Sequence, residues 1–508
     1  MKARRLIEGA GAGILLTLGL TWNNLSSWHL DLYGRQLPIN TVVRAIAIDL
    51  VLISLACTGL LWLLERVDGK GRTLLWALFA SVLAARALGG LAAVEVFDRE
   101  GVTPPRTFAV IFILWLLLWI FRRHWYAQAV RGFRFFLLIL GFCIFWMLPQ
   151  LVWLSFAQQP HDQMAFSKPV AAQPVPHRRV VWLLFDEMSY DQLFDHRWPG
   201  LEMPNFDRLR AESVNFSEAQ PDGFYTAIVV PSILLGQPVS DVRSSTAGYL
   251  YLRSSARDRW RRFDPSATLF ADAKNLGWTT GRVAWSLPEC RLMPEQLDYC
   301  WMQLFPYGDH LSQQNSTLQN VVAPVRAVFA RLAGDSTRDT PSAAESINSI
   351  VGAAQSLAAD ENIDFVLIHL PVPHPRGTYH RATGQISFGG SYIDNLALSD
   401  KILGELEATL AKTSSASMTT LIVSSDHSWR VPIWRNKSGW TREDEEASQG
   451  KFEPRPVLMV HFPGEKAAVT ITQPFPILKE HDLIEGLLHH PMNAEELEDW
   501  VYKRPAQR

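Results

Sequence analysis

The hydrophobic pattern changes character once along the chain, close to residue 157. Before it, five apolar runs of spanning length or near it follow one another: Leu6–Trp22, Val42–Leu64, Leu74–Phe97, Phe108–Phe121 and Phe135–Phe156. A run of about 20 such residues is what an α-helix needs to cross a bilayer. After it, short apolar runs alternate with amphipathic stretches. Val180–Phe185, Thr279–Ala284, Phe365–His369, Thr420–Ser424 and Val457–Val460 read as buried strands, and Pro204–Ser213, Ala343–Ala358, Tyr392–Leu410 and Ala494–Tyr502 as helices. The pattern predicts an α-helical membrane domain of five helices over 1–157 and a Pro-, Gln- and Ala-rich linker over 158–178. An α/β domain over 179–508 follows, with a mostly parallel central sheet and helices on both faces.

Basic residues orient the first part. Lys2, Arg4 and Arg5, then Arg66, Lys70 and Arg72, then Arg122, Arg123, Arg131 and Arg134 fall in alternate loops, the intervening ones carrying little beyond Arg35, Arg99 and Arg106. Basic loops stay cytoplasmic. An odd number of crossings then puts the second part outside, in the periplasm of a Gram-negative cell, with the protein a multi-pass inner-membrane one. The first run follows basic residues, but Trp22-Asn23-Asn24-Leu25 offers no small-residue cleavage site, so a retained helix is expected. Arg44, Asp49, Arg86 and Glu95 lie inside apolar runs, where charge is costly; buried pairs between helices are the first expectation, lipid-substrate contact the second.

Composition adds less. The 508 residues are 48% hydrophobic with net charge −2, and no basic excess points to nucleic acid. Cys57 and Cys143 sit in apolar runs, whereas Cys290 and Cys300 lie in the polar part, where a short-loop disulfide is possible.

Chemistry concentrates at strand ends. The segment Arg178 to Asp191 ends a buried-type strand in Asp186-Glu187, and Thr419 to Arg430 ends another in Asp426-His427. Ligands gather at such C-terminal edges in open α/β sheets. Carboxylates with an imidazole suit a divalent metal, zinc above all. Thr226 sits in a loop entering a helix, and His369 and His374 close a third strand. Taken singly, each has a bland reading as a cap, a packing residue or a loop residue. Together they supply a metal cage, a hydroxyl and spare imidazoles. Trp429, Trp434 and Trp440 read first as packing and second as a substrate mouth.

Several of these segments carry a resemblance. Met203-Pro-Asn-Phe-Asp-Arg-Leu209, Tyr392-Ile-Asp-Asn-Leu-Ala-Leu-Ser-Asp400 and Ser424-Ser-Asp-His427 resemble the alkaline phosphatase and sulfatase superfamily over about Val180 to Pro463. Within it, the chain looks like the membrane-bound phosphoethanolamine and phosphoglycerol transferases. The C-x-P-S-R motif of formylglycine sulfatases is replaced, with Val229 two residues before Pro231 and Ile233 at the Arg position. By contrast, Thr226-Ala-Ile-Val-Val-Pro231 has the form of the transferases' nucleophile segment. His369-Leu-Pro-Val-Pro-His374-Pro-Arg-Gly-Thr-Tyr379 is similar to their H-x4-H-x-P-x-Y segment, with one extra residue before the Tyr. Ser428 departs from the usual D-H-G, and no further His follows in Ser428–Lys451, which speaks against a complete second metal site.

The resemblance implies metal ligands from Asp186, Glu187, Thr226, Asp426 and His427, with both adjacent acids kept as candidates. It implies Thr226 as nucleophile, His374 in proton transfer, and His369, His374 and Tyr379 at the substrate. The reaction it implies moves a phospho-headgroup from a membrane phospholipid to an envelope glycan or lipid A, through a phosphothreonine, in a monomer. Alternatives are a phosphodiesterase or phosphatase with water as acceptor, and an inactive membrane scaffold.

Overall fold

A computed structural model describes residues 2–25, 40–92, 104–156, 163–172, 177–244, 248–304, 315–332, 343–435, 437, 439–466 and 468–503. They form two compact units: the first holds the described residues up to 156 together with 315–332, the second the remainder. The second unit is therefore not continuous in sequence, because the stretch 315–332, which lies within 179–508, clusters with the first unit.

The first unit contains α1 (Lys2–Leu25), α2 (Asn40–Leu64), α3 (Gly69–Ala92), α4 (Pro104–Phe121), α5 (Arg123–Phe142) and α6 (Ile144–Phe156). Among the described residues, Asn40–Leu64, Gly69–Leu88 and Arg123–Phe156 are long and apolar enough to cross a membrane, and Thr107–Phe121 is a shorter apolar helix. The last apolar run is thus the end of a longer helical segment broken at Cys143. Five charged residues of this unit form one ion-pair network. Glu8 is fully buried and accepts from Arg134 at 2.8 Å and Arg4 at 2.9 Å, while Glu65 takes Arg5 at 2.6 Å and Arg134 at 2.9 Å. Of the charges singled out in the sequence, Arg44 donates to the Ser155 carbonyl at 3.1 Å, Asp49 is buried and Arg86 is exposed. Glu95 lies outside the described residues.

The second unit is built on a nine-stranded sheet. Its strands are β1 (Ala165–Ser167), β2 (Arg179–Asp186), β3 (Val214–Phe216), β4 (Thr280–Trp285), β5 (Tyr299–Gln303), β6 (Phe365–Pro373), β7 (Thr419–Ser425), β8 (Leu458–His461) and β9 (Val469–Ile471). Their order is β1-β5-β4-β6-β2-β7-β8-β3-β9. The centre, β5-β4-β6-β2-β7, is parallel throughout. The edge strand β1 falls within the stretch read as linker and pairs antiparallel with β5. Next to it, Cys290 and Cys300 form a disulfide.

Strand alternation sorts the core into two layers. Val181, Leu183 and Phe185 of β2 join Val366, Ile368 and Leu370 of β6 in a cluster beneath α11 (Ala343–Ala359) and α12 (Tyr392–Leu410), with α7 (Pro204–Ala211) alongside. Each such side chain, fully buried, contributes about 1.5–3 kcal/mol. On the other face Phe270 of α9 (Leu269–Asn275) meets Phe365 at 5.0 Å, and α8 (Thr226–Leu235), α9 and α13 (Glu480–His489) pack on one another. The remaining helix, α10 (Thr317–Leu332), belongs to the first unit.

Two sequence markers explain each other here. Asp400, at the end of the motif on α12, accepts from the backbone N–H of Asn205 at 3.0 Å and of Phe206 at 2.9 Å, and from the Asn205 amide at 2.8 Å. It thereby satisfies the first turn of α7, whose own preceding residue, Met203, offers no cap. Both motifs are structural staples. Asp400→Ala is expected to lower stability by about 2 kcal/mol, read as a depressed melting temperature of the full chain with metal content unchanged.

Candidate active site

The site follows from register. Along the parallel pair β2 and β7, Ser425 stands opposite Phe185, so the next residues, Asp426 and Asp186, leave the sheet side by side. The Asp426 N–H continues the ladder to the Phe185 carbonyl at 3.4 Å. Both carboxylates are buried, Asp186 at 1% and Asp426 at 0% exposure.

Thr226 comes to them from above. It is the first residue of α8, whose apolar side chains Val229, Val230, Ile233 and Leu234 are buried and set the helix against the body of the unit. The helix ends at Gly236, which is left-handed (φ 61°) and so close to the His481 ring that a Cβ would lie 2.6 Å from it. At the opposite, positive end, the Thr226 hydroxyl donates to Asp426 Oδ2 at 2.6 Å and lies 3.4 Å from both Asp186 Oδ1 and His427 Nε2. Thr226 is half-buried, whereas its three partners are fully buried. The arrangement is a reachable hydroxyl on a closed acidic floor.

The imidazoles are preset. His427 Nδ1 faces the Ser428 carbonyl at 3.1 Å and donates to it, which leaves the Nε2 lone pair directed at Asp426, 3.2 Å away, and Asp186, 3.8 Å away. Burial lowers the pKa of His427 and outweighs the pull of Asp426, so the ring is neutral. His374 likewise donates Nδ1–H to the Pro375 carbonyl at 2.9 Å, and burial takes it down to about 4. His369 lies on the same sheet face as Asp186, and burial, then Arg282, holds it well below its usual range.

The adjacent acids have opposite fates. Successive residues at a strand end point to opposite sides, and Glu187 also turns through a left-handed backbone (φ 66°). Its carboxylate accepts from Arg430 Nε at 2.8 Å and from the Trp434 indole at 3.0 Å, with a further bond from the second guanidinium nitrogen. Burial raises Glu187, but the Arg430 charge more than offsets it and holds the carboxyl at about 2. For Asp186, burial raises the pKa first, and repulsion from Asp426 and Glu187 adds to it. Its Oδ2 is buried without a hydrogen-bond partner.

That orphaned oxygen is the test of fit for a divalent cation. Ligand atoms of Asp186, His369 and Asp426 lie within 4.8 Å of one another, as do those of Asp186, Glu187 and His427. The first group, with Thr226 and the His427 lone pair, presents oxygens and neutral nitrogens around uncompensated negative charge, and a cation fits it. In the second, Glu187 is already neutralised by Arg430.

Of the residues expected from sequence, Asp186, Thr226, Asp426 and His427 converge, and His369 joins them. His374 stands beside Glu187, with Nε2 3.7 Å from Oε1 and its ring edge-on to Trp285 and Trp434. Tyr379 is buried in the apolar cluster under α12, and among the described residues no hydrogen bond ties it to the site. The residue missed was Arg430. Its guanidinium also donates to the Phe224 carbonyl at 2.9 Å, joining Glu187 to the loop before Thr226. The available signal was its place two residues beyond Ser428, in the same strand-end segment as Asp426.

Acids and imidazoles at the C-terminal edge of this sheet, under a helix-terminal hydroxyl, define an alkaline phosphatase-like α/β domain of the kind that uses divalent metal. The chain belongs to the Sulfatase family, whose model matches residues 178–490. No curated protein matches it in sequence. Among solved structures it is similar to the phosphonate monoester hydrolase of Agrobacterium radiobacter, at 14% identity over 62% of this chain and 74% of that one, with a TM-score of 0.37. It is also similar to the phosphonate monoester hydrolase SpPMH from Silicibacter pomeroyi, at 14% identity over 62% and 73%, TM-score 0.39. A third is an alkaline phosphatase superfamily protein from Vibrio parahaemolyticus, at 14% identity over 67% and 77%, TM-score 0.37.

The three acids are separable by mutation. Asp186→Asn and Asp426→Asn are each expected to weaken divalent-metal binding at least about tenfold, measured by metal analysis after dialysis. Glu187→Gln is expected to keep the metal and instead lose about 3 kcal/mol of stability, because Arg430 is left buried beside a neutral amide.

Proposed function

We propose that the chain transfers a phospho-headgroup, of phosphoethanolamine or phosphoglycerol type, from a membrane phospholipid to an envelope glycan or lipid A, through a phosphothreonine at Thr226. The observation that carries this reading is the Thr226 hydroxyl, reachable from outside and hydrogen-bonded at 2.6 Å to a buried carboxylate. Asp186, Thr226, Asp426 and His427 would hold the metal, with His369 beside them, and zinc suits that mixture of oxygen and imidazole donors. When bound, such an ion lowers the pKa of the hydroxyl and balances charge on the transferring oxygens.

The residues themselves do the following. Asp426 accepts the hydrogen bond of the Thr226 hydroxyl and orients it. That oxygen attacks phosphorus, a P–O bond to Thr226 forms, and the P–O bond to diacylglycerol breaks. In the second half an acceptor hydroxyl displaces Thr226 from phosphorus. His374, held neutral with Nδ1–H tied to Pro375, presents Nε2 as a hydrogen-bond acceptor for that hydroxyl. Exposed Phe224 and Tyr225 flank Thr226 and suit an apolar donor. Donor and acceptor confined to one membrane surface meet at high effective concentration.

A periplasmic, inner-membrane placement is part of the proposal. It is supported by the alternation of Lys and Arg between loops and by the Cys290–Cys300 disulfide, which belongs to an oxidising compartment. A second reading, hydrolysis of a phosphoester with water as the acceptor, is favoured by membership of the Sulfatase family.

Intact-protein mass spectrometry after incubation with phospholipid separates them. A headgroup adduct on the Thr226 peptide, discharged only when an acceptor glycan is added, is the expected result. Discharge by water alone supports the hydrolase. Thr226→Ala is expected to lose at least about a thousandfold in turnover while retaining the fold.

A further inference from the structure

Between β5 and α11 the chain leaves the catalytic unit, and α10 packs on α2 of the membrane unit. The contact has a definite place along the helix bundle. Ala323 of α10 shares one apolar cluster with Ile14, Val42, Val43 and Leu151. Val42 and Val43 lie in the first turn of α2, and Leu151 in the closing turns of α6, the last helix before the catalytic unit. The cluster also takes in Ile46, Ala47 and Leu50, so α10 packs on the N-terminal half of α2.

Its other sides are sorted by chemistry. Leu318, Val322 and Val325, at spacing i, i+4, i+7, form one stripe with exposures of 72%, 37% and 54%. Gln319 and Arg326 are exposed in a second strip beside it, and Asn320 and Ala323 are buried on the third side. A helix on a water-exposed surface places its apolar stripe inward. Here the inward side is small and polar and the stripe faces out. The neighbour, α2, is a 25-residue helix, long and apolar enough to span a membrane.

We propose that α10 is an interfacial membrane helix, with Leu318, Val322 and Val325 among the lipid acyl chains and Gln319 and Arg326 at the headgroups. This is the arrangement by which amphipathic helices lie in a leaflet. The lipid is the occupant because α10 is fixed to the N-terminal half of a helix of spanning length, which takes in the depth at which acyl chains meet headgroups. The insertion therefore attaches the catalytic unit's chain to the membrane a second time, through a segment far from α6 in sequence. The inference stands whether the enzyme is a transferase or a hydrolase.

Site-directed spin labelling tests it on the full chain in nanodiscs of phosphatidylethanolamine and phosphatidylglycerol. The free thiols are removed as Cys57→Ala and Cys143→Ala, while Cys290 and Cys300 are bridged and do not label. Single cysteines then replace residues 318, 319, 322, 325 and 326, all on the exposed sides, so the labels disturb no packing. Collision with oxygen is expected to exceed collision with a water-soluble nickel chelate several-fold at 318, 322 and 325, and the ratio to reverse at 319 and 326. Ready access of nickel to the apolar stripe would overturn the proposal in favour of a solvated helix. Exclusion of both reagents would overturn it in favour of a protein covering, and spin–spin broadening would identify that covering as a second copy.

Discussion

The parallel register of β2 against β7 is the constraint on which the site depends. It sets Asp186 beside Asp426 in a place water does not reach, and two buried like charges are expensive; the penalty for each desolvated ion is several kcal/mol. The Thr226 hydroxyl and the neutral His427 reduce that cost only in part, because Asp186 keeps an oxygen with no partner. A divalent cation held there would balance that charge, within reach of the half-buried Thr226 hydroxyl.

Glu187 shows how the protein avoids doubling the problem. Glu187 is a third carboxylate close enough to add to the repulsion on Asp186, and Arg430 and Trp434 compensate its charge. The guanidinium is a cation supplied by the chain itself, fixed on the segment that follows Asp426 and bonded to the loop that precedes Thr226. Of the neighbouring acids, Glu187 has a permanent counter-charge, while Asp186 keeps an oxygen with no partner. Beside Glu187, His374 stays neutral because burial outweighs the pull of that carboxylate.

Much of this was legible in the sequence because it rests on periodicity. Buried parallel strands read as unbroken apolar runs, and Asp186 and Asp426 stand at the ends of β2 and β7, whereas β6 runs on to Pro373 and leaves His369, expected at its end, in mid-strand. The convergence of Thr226 with Asp186, Asp426 and His427 was anticipated from motif resemblance, and distances in the structure bring those groups together. Less legible were features that depend on partners distant in sequence. The choice between Asp186 and Glu187 is made by Arg430, a residue 243 positions from Glu187 whose pairing no local pattern announces. The role of Asp400 needed the N-terminus of α7, nearly two hundred residues away, and Tyr379 carried a motif-like spacing into the core. An α/β period likewise says nothing about which unit an inserted helix joins, as α10 illustrates.

X-ray absorption at the metal edge, on the full chain loaded with one equivalent of zinc, tests the central claim most directly. Zinc is expected in a shell of oxygen and imidazole donors that loses one oxygen scatterer in Thr226→Ala and part of its imidazole scattering in His427→Ala, His369 remaining. A shell unaltered by both substitutions would place the metal elsewhere and contradict the claim.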